Sequence, residues 1–207
     1  MKNHQSLGLR LLRAMLFVPL LILGNLAHGT VIEFQANLSG PAESPVNASP
    51  GIGFADVFFD DAAQTLLVNV TFSGLLGTTT ASHIHAATAL PDVGTSGVAT
   101  ETPFFNSFPI GVTSGSYTHL FDLTLASSFN AAYVTANGGT LASASFALEN
   151  AMLDEKAYLN IHTTKFPGGE IRGFLHAVPD SATTALLLAM ALGALAGFSR
   201  VQKLRAC

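Results

Sequence analysis

Leu66, Val68, Val70 and Phe72 alternate with Leu67, Asn69 and Thr71, and this period of two narrows what the chain can become more than any other feature. Successive side chains of an extended strand point to opposite faces, so this stretch predicts a half-buried strand with one apolar face. Val31–Leu38, Gly53–Asp60, Ala81–Ala86 and Tyr117–Thr124 read as further strands, punctuated by turn formers such as Ser39-Gly40-Pro41 and Ser49-Pro50-Gly51. The pattern then changes. Phe129–Ala136, closed by Asn137-Gly138-Gly139, predicts a short helix with a glycine cap, and the alanine-rich Leu141–Leu153 predicts a second. Lys156–Thr163 and Glu170–Ala177 form the two strands of a closing hairpin. The segment 87–114, rich in Gly, Pro, Thr and Ser, is long enough to be functional or mobile and has no structural reading from its residues. The expectation is an all-β sandwich or barrel with a short helical insert.

The two ends read as addresses. Residues 1–29 carry Lys2, Arg10 and Arg13, then the apolar run Ala14–Leu23, then Ala27-His28-Gly29. That order predicts a secretory signal peptide removed after Gly29 by a signal peptidase. At the other end, Val178-Pro179-Asp180-Ser181 precedes an apolar stretch and the basic residues Arg200, Lys203 and Arg205. The apolar stretch is hydrophobic all round, which predicts a membrane helix at about 185–198 with its basic tip in the cytoplasm. This arrangement resembles the PEP-CTERM class of sorting signals, in its VPDSG form, with Ala182 in place of that form's glycine. The resemblance implies a Gram-negative, exopolysaccharide-producing cell and an exosortase-type enzyme that processes the tail at the outer face of the inner membrane. The chain therefore divides into a signal peptide at 1–29, a β domain at 30–177 and a sorting tail at 178–207. Apolar helices are expected at both ends, and the mature form is either anchored at the cell surface or released.

Charge and cysteine content exclude several classes. Between residues 30 and 178 only Lys156, Lys165 and Arg172 are basic, against twelve acids. An acidic domain repels a phosphate backbone, so nucleic acid is not an expected partner. The single cysteine is Cys207, so no intramolecular disulfide is available and the exported domain must hold by packing. No nucleophile elbow, phosphate loop or zinc-protease helix is present.

Several stretches together resemble the CHRD domain, a module named after chordin and common in bacterial exported proteins. They are Phe34–Gly40 with Glu43, Phe72-Ser73-Gly74-Leu75, His83-Ile84-His85, Tyr158-Leu159-Asn160-Ile161-His162-Thr163, and Phe166-Pro167-Gly168-Gly169-Glu170-Ile171-Arg172-Gly173. The resemblance spans nearly the whole β domain. It implies an immunoglobulin-like β-barrel with a proposed distant likeness to copper/zinc superoxide dismutases, and no settled activity.

The residues that bear chemistry are histidines. His83 and His85, two apart in a strand, share a face while Ile84 points the other way. Tyr158, Asn160 and His162 share a face of the penultimate strand, opposite Leu159 and Ile161. Two imidazoles from one strand and one from another suit a three-coordinate copper or zinc site. The alternative is structural: His83 and His162 bond backbone or Glu170 and hold no metal. Glu170 and Arg172 are expected on one face, pairing with each other or with the His162 face. Gly168 and Gly169 are expected to supply turn geometry that other residues cannot reach. His119 is expected to be a half-buried structural residue, and His176 either a rim residue or one without a role. Two functions follow. The first is a non-enzymatic surface or matrix module that binds an envelope protein or exopolysaccharide, and the second is a copper- or zinc-binding protein.

Overall fold

The computed structural model describes residues 31–179. The expected signal peptide and tail helix lie outside the described residues, as do Asp180, Ser181 and Arg200 of the sorting signal. Val178 and Pro179 close the described part. Among the described residues, no helix is long and apolar enough to cross a membrane.

The elements in chain order are β1 (Val31–Ser39), β2 (Ile52–Asp60), β3 (Thr65–Ser73), β4 (Thr79–His85) and β5 (Gly115–Asp122), then α1 (Ala131–Ala136), α2 (Leu141–Leu153), β6 (Tyr158–Thr163), β7 (Ile171–Phe174) and β8 (His176–Ala177). The fold is mostly β, as expected, with the two predicted helices as its insert. All the strands join one antiparallel sheet in the order β4-β6-β7-β1-β2-β3-β5, with β8 beside β1. The sheet curls, so that one face of strands far apart in this order shares a single core.

The apolar alternation in β3 sets the register. Leu66, Val68, Val70 and Phe72 are all buried, and across the β2–β3 ladder Val68 faces Val57, Leu66 faces Phe59 and Val70 faces Ala55. A slip of one residue would turn this whole set out to water, so the pairing is fixed by burial. Phe34, Ala36 and Leu38 of β1 continue the core, and Ile84, Leu159, Ile161 and Ile171 complete it on the β4–β6–β7 side. The helical insert closes with local bonds. The Asn130 side chain accepts from the Ala132 N–H at the start of α1, and Thr140 and Ser143 form a reciprocal capping box on α2. Leu148 and Met152 then anchor α2 in the core.

The segment 86–114 acquires a clear role. It runs along the outer edge of β4, where the N–H groups of Ala99, Phe105 and Gly111 donate to the carbonyls of Ile84, Ser82 and Thr79. It thereby satisfies an edge strand that would otherwise expose unpaired backbone. It also brings loop carbonyls over the outward face of β4.

Candidate metal centre

The β4–β6 ladder places His83 opposite Asn160, Ala81 opposite His162, and His85 opposite Tyr158. The face that carries the histidines is the one turned away from Ile84, Leu159 and Ile161. The three imidazoles meet there, with ring centroids 5.7 Å apart for His83–His85, 5.4 Å for His83–His162 and 6.0 Å for His85–His162. One ring nitrogen from each lies within 4.8 Å of the others. The convergence expected from strand spacing is thus present. His119 stays apart, edge-on to Phe121 at 4.5 Å.

Hydrogen bonding fixes what each ring presents. His83 Nε2 lies 2.7 Å from the Pro103 carbonyl, His85 Nδ1 2.9 Å from the Ser96 carbonyl, and His162 Nδ1 2.8 Å from the Pro167 carbonyl. A carbonyl only accepts, so each of these nitrogens carries the N–H. Burial, the largest cause, lowers all three rings from the usual histidine value, His83 to about 4, and so favours the neutral form at pH 7. The remaining nitrogens, His83 Nδ1, His85 Nε2 and His162 Nε2, therefore bear lone pairs. All three are buried and have no hydrogen-bond partner among the described residues. Three buried lone pairs with no donor among them could hold a cation. The outer N–H···O=C bonds are the tautomer-fixing contacts that metal-bound histidines make. Metal–nitrogen bonds near 2.0–2.1 Å call for nitrogens about 3.5 Å apart, so small ring rotations would close the site.

Of the structural alternative, the backbone half is present, since His83 and His162 both bond carbonyls, and the half through Glu170 does not hold. That carboxylate is turned to other donors: Ser49 Oγ at 2.6 Å, Leu76 N–H at 2.5 Å, Thr163 Oγ1 at 2.7 Å and Gly77 N–H at 3.1 Å. The expected Glu170–Arg172 pair is corrected as well. Strand β7 begins at Ile171, so Glu170 stands outside the alternation that would put it beside Arg172. Arg172 instead donates to the Ala42 and Gly94 carbonyls, lies 3.9 Å from Glu43 Oε2, and covers the Tyr158 ring at 4.7 Å. Tyr158 in turn stacks on His85 with centroids 4.9 Å apart and planes 5° from parallel.

The glycines of the motif differ in role. Gly169 has φ of +131°, and a Cβ there would sit 2.5 Å from Glu43 Oε1 and 2.7 Å from Asn160 Nδ2, so it needs both its conformation and its bareness. Gly168 has open space around it and no left-handed φ, contrary to expectation. A Cβ on Gly173 would run into the Asn37 carbonyl, so this glycine lets β7 approach β1 closely. His176, expected to be either a rim residue or one without a role, lies half-exposed. Its ring lies 3.4 Å from Asp92 Oδ1 and 3.4 Å from Glu155 Oε1, in a half-exposed cluster worth little as an ion pair.

Residue-by-residue reading missed the Ser96, Pro103 and Pro167 carbonyls, which nothing in the residue types could flag. It also passed over Glu43, a buried acid quoted only as part of a motif.

With this geometry in place, comparison with known proteins gives two matches. A family model of the CHRD domain matches residues 34–175, and one of the VPDSG-CTERM motif matches residues 177–200. No curated protein and no solved structure matches the chain. The C-terminal motif marks an exported, envelope-associated protein and implies an enzyme that processes the sorting signal.

Proposed function

We propose, from the premise that the chain belongs to the CHRD domain family, that it is an exported metal-binding module of the cell envelope. Its domain holds one copper or zinc ion on His83, His85 and His162. The observation that carries this reading is the convergence of three buried imidazole nitrogens without partners, each ring fixed from behind by a backbone carbonyl. The site contains imidazole but no thiolate, a donor set suited to copper and zinc. We read the protein as a binder without catalysis. In this reading the leader at 1–29 is removed by a signal peptidase, and an exosortase-type enzyme acts on the tail of a Gram-negative cell. The curled antiparallel sheet supports the immunoglobulin-like and superoxide dismutase-like likeness that the family resemblance implies.

The test is metal content by elemental mass spectrometry on the purified full-length chain, beside a His83→Ala/His85→Ala double variant whose fold is checked by circular dichroism. Near-stoichiometric copper or zinc in the first and none in the folded second is the expected result. Absence of metal from both after exposure to each ion would overturn the reading.

A second reading has an observation of its own. A groove of about 540 Å³ on the outer face of β1–β3 is lined by Asn37, Ser39, Ile52, Phe54, Thr71 and Ser73. An exposed aromatic ring among amides and hydroxyls, with no cation, suits a neutral polysaccharide of the matrix. Retardation on immobilised exopolysaccharide, lost in Phe54→Ser, is expected on this reading, and free passage of the wild type would count against it.

A further inference from the structure

Seven buried side-chain atoms lack a hydrogen-bond partner among the described residues, and five of them belong to one neighbourhood. Three are the histidine nitrogens. The other two are Asn160 Oδ1 and Glu43 Oε1. Asn160 is 2% exposed and Glu43 5%, so neither is left to bulk water. Asn160 lies among the histidines on their own face: His83 is its cross-strand partner, and His162 is two residues on. On its other side it faces Arg172 across the β6–β7 ladder.

The amide has two ends, and the surroundings assign them. Asn160 Nδ2 and Glu43 Oε1 both crowd the space where Gly169 lacks a side chain, at 2.7 and 2.5 Å from the position a Cβ would take. The nitrogen is thus on the Glu43 side. The end that remains for the histidines is Oδ1, an acceptor. His85 Nε2 carries a lone pair, because the proton of that ring sits on Nδ1 against the Ser96 carbonyl. Two acceptors therefore share the centre, and a cation held by the three imidazole nitrogens leaves Oδ1 either to ligate it directly or to take a donor placed between them.

We propose that the metal site has an open position beside Asn160, occupied by a water molecule that binds the metal through oxygen and donates a hydrogen bond to Asn160 Oδ1. The proposal rests on the three-histidine reading and deepens it, since it names the fourth ligand and the residue that selects it. Asn160 is the contact residue. Glu43 is a positioning residue: its Oε1 borders the same space at Gly169 without a hydrogen bond of its own, and an acceptor on that side favours the nitrogen end of the amide there. The chemistry selects a hydrogen-bond donor, so a ligand that only accepts, such as azide, displaces the water at the cost of leaving Oδ1 unsatisfied. The competing arrangement is a turned-over amide, in which Nδ2 donates to His85 Nε2 and blocks that nitrogen from the metal.

The experiment uses the full-length chain loaded with copper(II), with copper per chain measured first, so that failure of the three-histidine reading shows up as missing copper. Pulsed electron–nuclear double resonance in H₂O and D₂O then reports exchangeable protons on a copper-bound water. Azide titration, followed by its charge-transfer absorption, reports how readily that water is displaced. The expected result is strongly coupled exchangeable protons in the wild type. In Asn160→Leu, which keeps the volume and loses the acceptor, azide should bind about tenfold more tightly, the equivalent of one hydrogen bond. Glu43→Gln frees the amide to turn and should weaken copper binding while the fold persists. Full copper loading without exchangeable protons would overturn the proposal and leave the metal reading standing. Equal azide affinity in wild type and Asn160→Leu, both fully loaded, would overturn it as well.

Discussion

Glu170→Gln should cost this domain about 3 kcal/mol, and the reason lies in which donors the carboxylate serves. Glu170 is fully buried. Its Oε1 takes the Ser49 hydroxyl and the Leu76 N–H, and its Oε2 takes the Thr163 hydroxyl and the Gly77 N–H. A glutamine replaces one of these oxygens with an NH₂ group. Either hydroxyl can rotate and accept from it, but neither backbone N–H can. Whichever way the amide sits, one backbone N–H, the buried one of Gly77 or the part-buried one of Leu76, is left facing another donor, worth about 1–3 kcal/mol. The surviving bonds lose their charge assistance, which adds roughly another 1–2 kcal/mol. A domain of this size would lose roughly 6–12 °C in Tm for about 3 kcal/mol. The chain has no tryptophan, so urea unfolding followed by far-ultraviolet circular dichroism is the suitable assay. The pH dependence sharpens it. Burial raises the Glu170 pKa, but the bonds from Ser49, Leu76, Thr163 and Gly77 outweigh it and hold the group below its ordinary value of 4.5. A depressed folded pKa stabilises above the unfolded value and loses that contribution as pH falls through the folded one. The gap between wild type and variant should therefore be full at pH 7 and shrink below pH 4.5. A variant within about 1 kcal/mol of wild type at pH 7, or a gap indifferent to acid, would refute the role of Glu170 as a buried anchor.

Four further outcomes follow. Gly169→Ala should destabilise by about 2–4 kcal/mol through its clash with Glu43 and Asn160, whereas Gly168→Ala should stay within about 0.5 kcal/mol, both read from urea midpoints. Glu43 behaves oppositely to Glu170: burial lifts its pKa to about 7 against the pull of Arg172, so the folded state binds the proton more tightly than the unfolded chain. The wild type should then lose stability as pH rises from 4.5 through 7, by up to about 3 kcal/mol, while Glu43→Gln does not, as paired unfolding curves at pH 5 and 8 would reveal. Tyr158→Phe keeps the stack on His85 and gives up only long contacts to Ser96, at 3.3 and 3.4 Å, so it should cost under about 1 kcal/mol and leave metal content unchanged. Tyr158→Leu removes the plate between His85 and Arg172 and should lower copper or zinc affinity at least tenfold in competition with a chelator, while His119→Ala leaves it unaltered.

The contrast between what the residues reveal and what they conceal is itself physical. Side-chain direction in a strand has a strict period, so spacing alone puts His83 and His85 on one face of their strand, and Asn160 with His162 on one face of theirs. The strands are continuous over those stretches, and the four side chains lie where the period puts them. The same reasoning fails at Glu170, because the period applies only within a strand and β7 starts one residue later. The segment 86–114 offers neither period nor motif, yet it supplies the Ser96 and Pro103 carbonyls that lock two of the three rings. Every residue carries a carbonyl, so no residue type announces which one will face an imidazole. The choice depends on the path of the loop along the edge of β4, and that path is set by long-range backbone bonds. Sequence can thus name the candidate ligands but not their tautomers. The tautomers decide the chemistry: had donors such as backbone N–H groups stood where these carbonyls stand, the outer nitrogens would accept, the same histidines would turn three N–H groups inward, and the centre would repel a cation.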